Sequence, residues 1–231
     1  MLDIILPVYY EKENIKDVLK GIERFVKTSH RVSLVHQDSK DPTLVEIKKI
    51  NDKTSCFKLV KSKYGVGVVE ALKTGFEQAR GEIICIMMAD LSDDPKDIDE
   101  MVGLIEKGYD FVCASRYSKD GKREEGPIIK GILSFLACKT LRLFTGIPTN
   151  DATNAFKCFR RRLLKEIKIE SKAGFELPLE LTVKAHSLGY KIAEIPTTWK
   201  ERKKGKSKFK LFKLLPYYLR WYIFGIRSSW F

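Results

Sequence analysis

An α/β architecture, with a mostly parallel central sheet and helices on both faces, is predicted for this 231-residue chain. Three observations lead there. Short runs rich in Ile, Val and Leu recur through residues 1–120 and alternate with segments of helical spacing. Pro, Gly, Asn and Asp stand between them as turn and cap residues. Three aspartates, Asp90, Asp93 and Asp94, follow the most apolar run, at the strand end where an open α/β sheet receives its ligands.

The elements follow in order. Residues 3–8 read as the first strand. Residues 13–27 place Ile15, Val18, Leu19, Ile22 and Phe25 at helical spacing. Residues 31–36 form a second strand, 42–50 a short helix and 57–60 a short strand. A helix over 67–79 leads into the strand ending at Met88, and a helix over 95–107 leads to the strand 109–114. The second half is less regular. Residues 119–126 are polar and glycine-containing, a loop, and 128–145 a helix. Residues 154–159 read as a strand, 161–167 and 178–188 as helices, and 191–195 as the last strand. A basic loop over 199–208 precedes an aromatic and basic segment over 209–231.

Composition narrows the classes. With 44% hydrophobic residues the chain has ample material for a core and is not a disordered protein. Five scattered cysteines without C-x-x-C spacing argue against zinc and for a reducing compartment. A strand starting almost at residue 1 leaves no space for a signal peptide, and no window has the ~20 apolar residues of a membrane span. Charge is divided unevenly. Residues 1–120 hold 19 Lys and Arg against 21 Asp and Glu, a net of −2, whereas 121–231 hold 24 against 9, a net of +15. The second half is therefore expected to face something anionic.

The chemistry concentrates at Ile83-Ile-Cys-Ile-Met-Met-Ala-Asp-Leu-Ser-Asp-Asp-Pro95. One aspartate can cap the helix that Pro95 opens, but a cap needs only one. Carboxylates clustered at such a strand end hold a hard divalent cation, which in turn holds phosphate. Farther along, Arg116 and the run from Arg202 to Lys208 supply cations suited to phosphate.

Six separated motifs share one likeness: Pro7-Val-Tyr-Tyr-Glu-Lys-Glu-Asn14, Ala89-Asp90, Ala114-Ser-Arg-Tyr117, Asp151-Ala-Thr-Asn-Ala-Phe-Lys157, Glu194-Ile-Pro196 and Arg202-Lys-Lys-Gly-Lys-Ser-Lys208. Together they resemble a family 2 glycosyltransferase of the GT-A fold. The branch is the one that moves a sugar from a nucleotide to a polyprenyl phosphate, the dolichyl-phosphate mannose synthase type. The resemblance implies a GT-A domain over 1–208, with a nucleotide-binding half at 1–120 and an acceptor-binding half at 121–208, and a separate amphipathic segment at 209–231. It implies donor contacts from Pro7, Tyr9, Glu11, Gln37, Asp41, Ala89 and Asp90, with Glu11 on a ribose hydroxyl. Mg2+ or Mn2+ would sit on Asp90, helped by Asp93. Arg116, Asp151, Lys157, Arg202, Ser207 and Lys208 would hold the donor diphosphate and the acceptor phosphate. Asp90, Arg116, Arg202 and Lys208 are the implied catalytic set.

Several positions depart from the pattern. Met88 replaces the first acid of the usual D-x-D, and a thioether does not serve Mg2+ or Mn2+. His36 and Gln37 stand where two acids are common, so the Gln37 amide oxygen would accept the base N–H, from guanine or uracil alike. Tyr10 replaces an Asn. Tyr64-Gly-Val-Gly67 fits no dinucleotide or Walker spacing and reads as a turn before a helix. Glu176 and Glu180 are open between helix-capping and acceptor contact.

The donor, GDP-mannose or a UDP-hexose, would pass its sugar with inversion. A lipid phosphate is already ionised and needs no general base, whereas a polysaccharide hydroxyl would require one from Asp93, Asp94 or Asp151. Met88 and Gln37 also motivate a third reading, a nucleotide-binding relative without activity. The aromatic and basic tail suits an interfacial helix, a packed helix or a dimer contact. The expected setting is the cytoplasmic face of a membrane, on its surface or on a membrane-protein partner. Nucleic acid is not an expected partner, since no recognition module accompanies the charge.

Overall fold

The structure, a computed structural model, describes residues 1–51, 57–202 and 211–229. Nine strands are described: β1 (Leu2–Val8), β2 (His30–His36), β3 (Phe57–Lys61), β4 (Ile83–Ile86), β5 (Phe111–Ser115), β6 (Lys122–Glu124), β7 (Lys157–Arg160), β8 (Ile192–Pro196) and β9 (Thr198–Lys200). The helices are α1 (Ile15–Phe25), α2 (Thr43–Asn51), α3 (Val68–Gln78), α4 (Ile98–Glu106), α5 (Ile128–Thr145), α6 (Leu163–Glu166), α7 (Leu177–Ser187) and α8 (Leu211–Ser228).

The main sheet has the order β3-β2-β1-β4-β7-β5-β8. Its pairs are parallel except that β7 runs antiparallel between β4 and β5. The chain builds outward from β1 through β2 to β3, then crosses back to lay β4 on the other side of β1. That reversal opens a crevice at the carboxyl ends of β1 and β4, the place where α/β sheets bind ligands. Leu2 lies opposite Ile83 and Ile5 opposite Ile86, so the segments leaving these two strands emerge side by side.

Alternation along the strands splits the core into two layers. Leu2, Ile4, Leu6 and Val8 face α1 and α4 with Cys85 and Met87. Ile5, Ile84 and Ile86 face the other way, toward α3 and α7. The approach of α3 is close: a Cβ on Gly75 would lie 2.4 Å from Ile5 Cγ2. A smaller third cluster joins α5, α7 and α8 through Leu141, Leu179, Val183 and Trp221.

Sequence and structure differ in three places, and the tail, left open above, takes one of its expected forms. The expected loop 119–126 contains β6, which pairs with β9 at the start of the expected basic loop. Both strands are three residues long and mainly polar, so no apolar alternation marks them. The strand expected over 154–159 begins only at Lys157, because Asn154 is spent on the carbonyl of Ala114 and its own N–H on Asp151. The helix expected from Pro95 opens with a 3-10 turn, Pro95–Asp97, capped by Asp94 through the N–H of Lys96. The tail forms α8 and packs on the domain: Trp221 and Leu214 are buried, Tyr218 donates to the Phe175 carbonyl at 2.5 Å, and Tyr222 donates to Thr140 at 2.8 Å.

Candidate functional site

Glu11 follows β1 and Asp90 follows β4, so the crevice brings two carboxylates together. Arg202, just past β9, closes over both. Its Nη2 donates to Asp90 Oδ2 at 2.5 Å and lies 3.3 Å from Glu11 Oε1. The other oxygens are fixed from behind. Ser92 donates to Asp90 Oδ1 from its N–H and its hydroxyl, at 3.1 and 2.6 Å, and Asn14 Nδ2 donates to Glu11 Oε2 at 2.7 Å. Burial raises the pKa of Glu11, with Asn14 and Arg202 pulling the other way. Burial weakens the positive charge of Arg202, yet Asp90 and Glu11 outweigh it and its pKa rises. One oxygen each of Asp90 and Glu11 thus meets a single positive charge in the crevice.

Asp93, the expected helper of Asp90 at the cation, commits one oxygen to the strand end. It is buried and its Oδ2 accepts the Met88 N–H at 2.9 Å. Burial pushes its pKa up to about 7, with Asp90 adding to the rise and Arg116 opposing it. Its work is to hold the strand end from which Asp90 projects. Among the described residues no group of three His, Cys, Asp or Glu side chains could cage a metal ion. A single carboxylate with diphosphate oxygens is a usual way to hold Mg2+, so this donor set suits a cation that arrives with a diphosphate.

The donor-side residues line the same sheet edge. Pro7 is buried in β1 opposite Val35, Ala89 is buried just before Asp90, and Tyr9 stacks edge-on against Tyr10. Tyr10 adopts φ 58°, an uncommon backbone state for an aromatic residue. Asp41 holds that turn: its Oδ2 accepts the Tyr10 N–H at 2.7 Å, while its Oδ1 accepts the N–H and hydroxyl of Thr43 at the start of α2. It is buried with both oxygens engaged, so it supports the pocket rather than reaching a ligand. Gln37 Oε1 accepts the Gly67 N–H at 2.5 Å, tying the 64–67 turn to the crevice.

Arg116 and Asp151 form the second charged element. Arg116 Nε and Nη2 grip Asp151 at 2.6 and 2.8 Å, its backbone N–H adds a third bond at 3.1 Å, and Thr153 accepts from Nη2 at 3.0 Å. Burial alone would raise the Asp151 pKa, but Arg116 holds it below the usual carboxylate range. The guanidinium also lies over the rings of Tyr117 and Trp199, at 5.1 and 6.0 Å. The charges of Asp90 and Arg116 both act on the Asp93 carboxyl, the first raising and the second lowering its pKa.

Lys157, expected to hold phosphate, is fully buried, with Nζ 3.3 Å from Cys113 Sγ and 5.6 Å from the centre of the Phe111 ring, and its charge helps Arg116 hold the Asp151 pKa down. Ser207 and Lys208 lie outside the described residues. Glu176 and Glu180 are fully buried. Glu176 accepts the N–H groups of Lys172 and Ala173, and Glu180 those of Glu170 and Ser171. Both therefore organise the loop before α7.

Reading the sequence alone missed Ser92, Thr153 and Trp199. Ser92 had a signal, its place two residues after Asp90, where a hydroxyl can fix a carboxylate. Thr153 had the same signal, two residues after Asp151, whose Oδ1 accepts its hydroxyl at 3.1 Å, whereas Trp199 had none, because its partners are distant in sequence.

Comparison with known proteins places the family and the fold. The model of glycosyl transferase family 2 matches residues 3–168. The dolichol-phosphate mannosyltransferase of Pyrococcus furiosus is 27% identical over 214 residues, 90% of this chain and 59% of that protein. The dodecaprenyl-phosphate galacturonate synthase of Rhizobium johnstonii is 26% identical over 213 residues, 90% of this chain and 61% of that one. The chain thus spans about three fifths of the length of these relatives. Among solved structures, glucosyl-3-phosphoglycerate synthase from Mycobacterium tuberculosis, in complex with Mn2+, UDP and glucosyl-3-phosphoglycerate, superposes with a TM-score of 0.70. That match covers 99% of this chain and 79% of the other at 18% identity, a likeness of fold. A family model reaching across 3–168 establishes kinship: this chain belongs to glycosyl transferase family 2.

Proposed function

We propose that the protein transfers a sugar, with inversion, from a nucleoside-diphosphate sugar to a polyprenyl-type lipid phosphate. The observation that carries the reading is the meeting of Asp90, Glu11 and Arg202 in the crevice between β1 and β4. Residues 1–120 form the donor half of the 1–208 domain and 121–208 the acceptor half, with 209–231 as a segment at the membrane surface. The named relatives act on dolichol and dodecaprenyl phosphates, which supports the acceptor class.

In this reading Asp90 would hold a divalent cation together with the donor diphosphate, and Lewis-acid charge for the leaving group is the chemistry such a cation would supply. The solved neighbours that hold Mn2+ or Mg2+ with UDP support this. Arg202 moves from Asp90 and Glu11 onto the diphosphate as negative charge builds there. Glu11, freed on one oxygen, accepts a ribose hydroxyl. Arg116, held rigid by Asp151, positions the acceptor phosphate, and Ser207 and Lys208 complete the grip.

The phosphate acceptor is favoured over a hydroxyl by a specific observation. A hydroxyl would need a carboxylate base. Asp151 is committed to Arg116, Asp93 to the Met88 N–H and Asp94 to the Lys96 N–H. An ionised phosphate needs none of them. The working place is the cytoplasmic face of a membrane, on its surface or beside a membrane-protein partner.

The test is turnover of GDP-mannose, UDP-glucose and other donors with a short polyprenyl phosphate, with and without Mg2+ or Mn2+. Metal-dependent formation of a polyprenyl-phosphate sugar is the expected result. Transfer to hydroxyl acceptors only would overturn the acceptor class. Nucleotide binding without turnover of any acceptor would make the protein a non-catalytic relative.

A further inference from the structure

The crevice fixes where a nucleoside would lie. Under the reading above, the diphosphate meets Asp90 and Arg202 past the end of β4, and Glu11 past the end of β1 takes a ribose hydroxyl. In the sheet order β3-β2-β1-β4 the next strand outward is β2. Its carboxyl end lies two strand spacings from β4, about 10 Å, within the reach of a base from its own diphosphate. Gln37 is the residue that leaves β2 there, directly after His36, which lies opposite Val8 at the end of β1.

Gln37 has only one kind of group left for that base. A side-chain amide carries a single oxygen, which accepts, and an NH2, which donates. The oxygen, expected to accept a base N–H, is already engaged: it takes the backbone N–H of Gly67 at 2.5 Å. A backbone N–H can be met by the oxygen alone, so turning the amide over would leave that donor without a partner. The amide nitrogen has no hydrogen bond among the described residues. The neighbouring carboxylates do not replace the missing acceptor. Asp38 takes the Tyr10 hydroxyl on one oxygen and the Lys40 N–H on the other, at 3.0 and 2.8 Å. Asp41 has both oxygens engaged with Tyr10 and Thr43. His36 has a buried Nδ1 without a partner, but alternation along β2 turns it to the α1 side with Leu34 and Val8, whereas Gln37 turns to the head of α3.

We propose that Gln37 reads the base of the donor as a hydrogen-bond donor, so that the nucleotide this protein prefers has a ring nitrogen without a hydrogen at that point: N3 of cytosine or N1 of adenine. Uracil N3 and guanine N1 each carry a hydrogen. Facing the Gln37 NH2, such a base sets two N–H groups against each other, and both lose water without gaining a partner. A carboxylate at position 37 would not meet this conflict, because it has one oxygen for Gly67 and a second for the base. The assignment rests on the sugar-nucleotide reading above and narrows its donor.

Calorimetric titration of the protein with CDP, ADP, UDP and GDP in Mg2+ tests the assignment without using activity. CDP or ADP should bind about tenfold tighter than UDP and GDP, and the comparison of CDP with ADP tells a pyrimidine pocket from a purine one. Gln37→Glu supplies the second oxygen and should reverse the order, with UDP or GDP gaining about tenfold and CDP and ADP losing about as much. A thermal melt checks that the variant is folded, and if it is not, the order of the four nucleotides on the parent decides alone. UDP or GDP binding the parent as tightly as the better of CDP and ADP would overturn the assignment and leave the sugar-nucleotide reading intact. So would a folded Gln37→Glu variant that keeps the parent's order. Binding of none of the four would remove the donor site and this assignment with it. A preference for CDP or ADP in a protein that turns over no prenyl phosphate would support the assignment and remove the acceptor reading.

Discussion

Arg116 and Arg202 each face an aspartate, yet the two pairs are made for different work. Arg116 meets Asp151 through two side-chain bonds and a backbone bond, and Asp151 is fully buried. Thr153, Tyr117 and Trp199 pack around the guanidinium, leaving its geometry no freedom. Arg202 reaches Asp90 and Glu11 through a single nitrogen and follows directly after β9. The first pair is a pillar whose charges were matched on folding. The second is a lighter pairing, in which one cation faces two carboxylates, and under the proposed function a diphosphate would draw it away. Rigid support and exchangeable counter-charge thus come from the same two residue types, separated by burial and by the number of bonds.

The largest effect should come from breaking the pillar. Asp151→Ala leaves the Arg116 guanidinium buried without its partner, and removing one member of a buried pair costs about 3–5 kcal/mol. The melting temperature should fall by about 6–20 degrees, on the scale of about 2–4 degrees per kcal/mol for a chain this long, with activity lost alongside. A melt within a few degrees of the parent would show that the pair is not structural. Arg202→Ala should do the opposite. Activity should drop about 10²–10³-fold, the usual cost of one preorganised donor on developing charge, while the melt barely moves. Equal losses of stability in both variants would erase the distinction between the pairs.

How much of this was legible beforehand depends on whether a residue's partner is near in sequence. The strand-helix alternation of residues 1–120 follows from periodicity, and β1, α1, β2, α3 and β5 fall within a few residues of expectation. Asp90 was visible because a carboxylate directly after an apolar run seldom serves the strand itself. The antiparallel direction of β7 was invisible, since a strand's orientation depends on where its neighbours lie. So was the pairing of β6 with β9, two polar triplets far apart in the chain. The burial of Lys157 was hidden for the same reason: a lysine in a motif reads as a phosphate ligand, and the neighbours that cover it in β7 are distant in the chain. The exposed side of α5 could have been found, because a helix with apolar residues on every side and no acid is already unusual for water.

The acid beneath Asp90 sharpens the comparison on its carboxylate side. Asp93 carries a folded-state pKa of about 7 against an ordinary 3.8, so between those values the folded protein keeps a proton that the unfolded chain has lost. Stability therefore declines as pH rises through that window, and the penalty is complete above it. Asp93→Asn removes the titration while keeping an acceptor for the Met88 N–H. The metal-free variant should be more stable than the parent by about 2 kcal/mol at pH 8 and equal to it near pH 4, read from denaturant melts at both. A gain that is the same at both pH values would point to packing instead.

The smallest expected effect separates Lys157 from both arginines. A fully buried ammonium with a thiol and a ring for company carries a desolvation cost that only partial compensation offsets. Methionine has nearly the same length and flexibility, so Lys157→Met should shift stability by less than about 1 kcal/mol in either direction. The informative quantity is KM for the acceptor. If Lys157 were a phosphate ligand, losing its charge would raise KM tenfold or more, at about 1.4 kcal/mol per factor of ten. From its place inside β7 the charge touches no anion in the cleft, so KM for donor and acceptor should both stay within about twofold of the parent. A selective rise for the acceptor alone would show that the inward-facing lysine can turn out, and the division between pillar and exchangeable cation would need a third member.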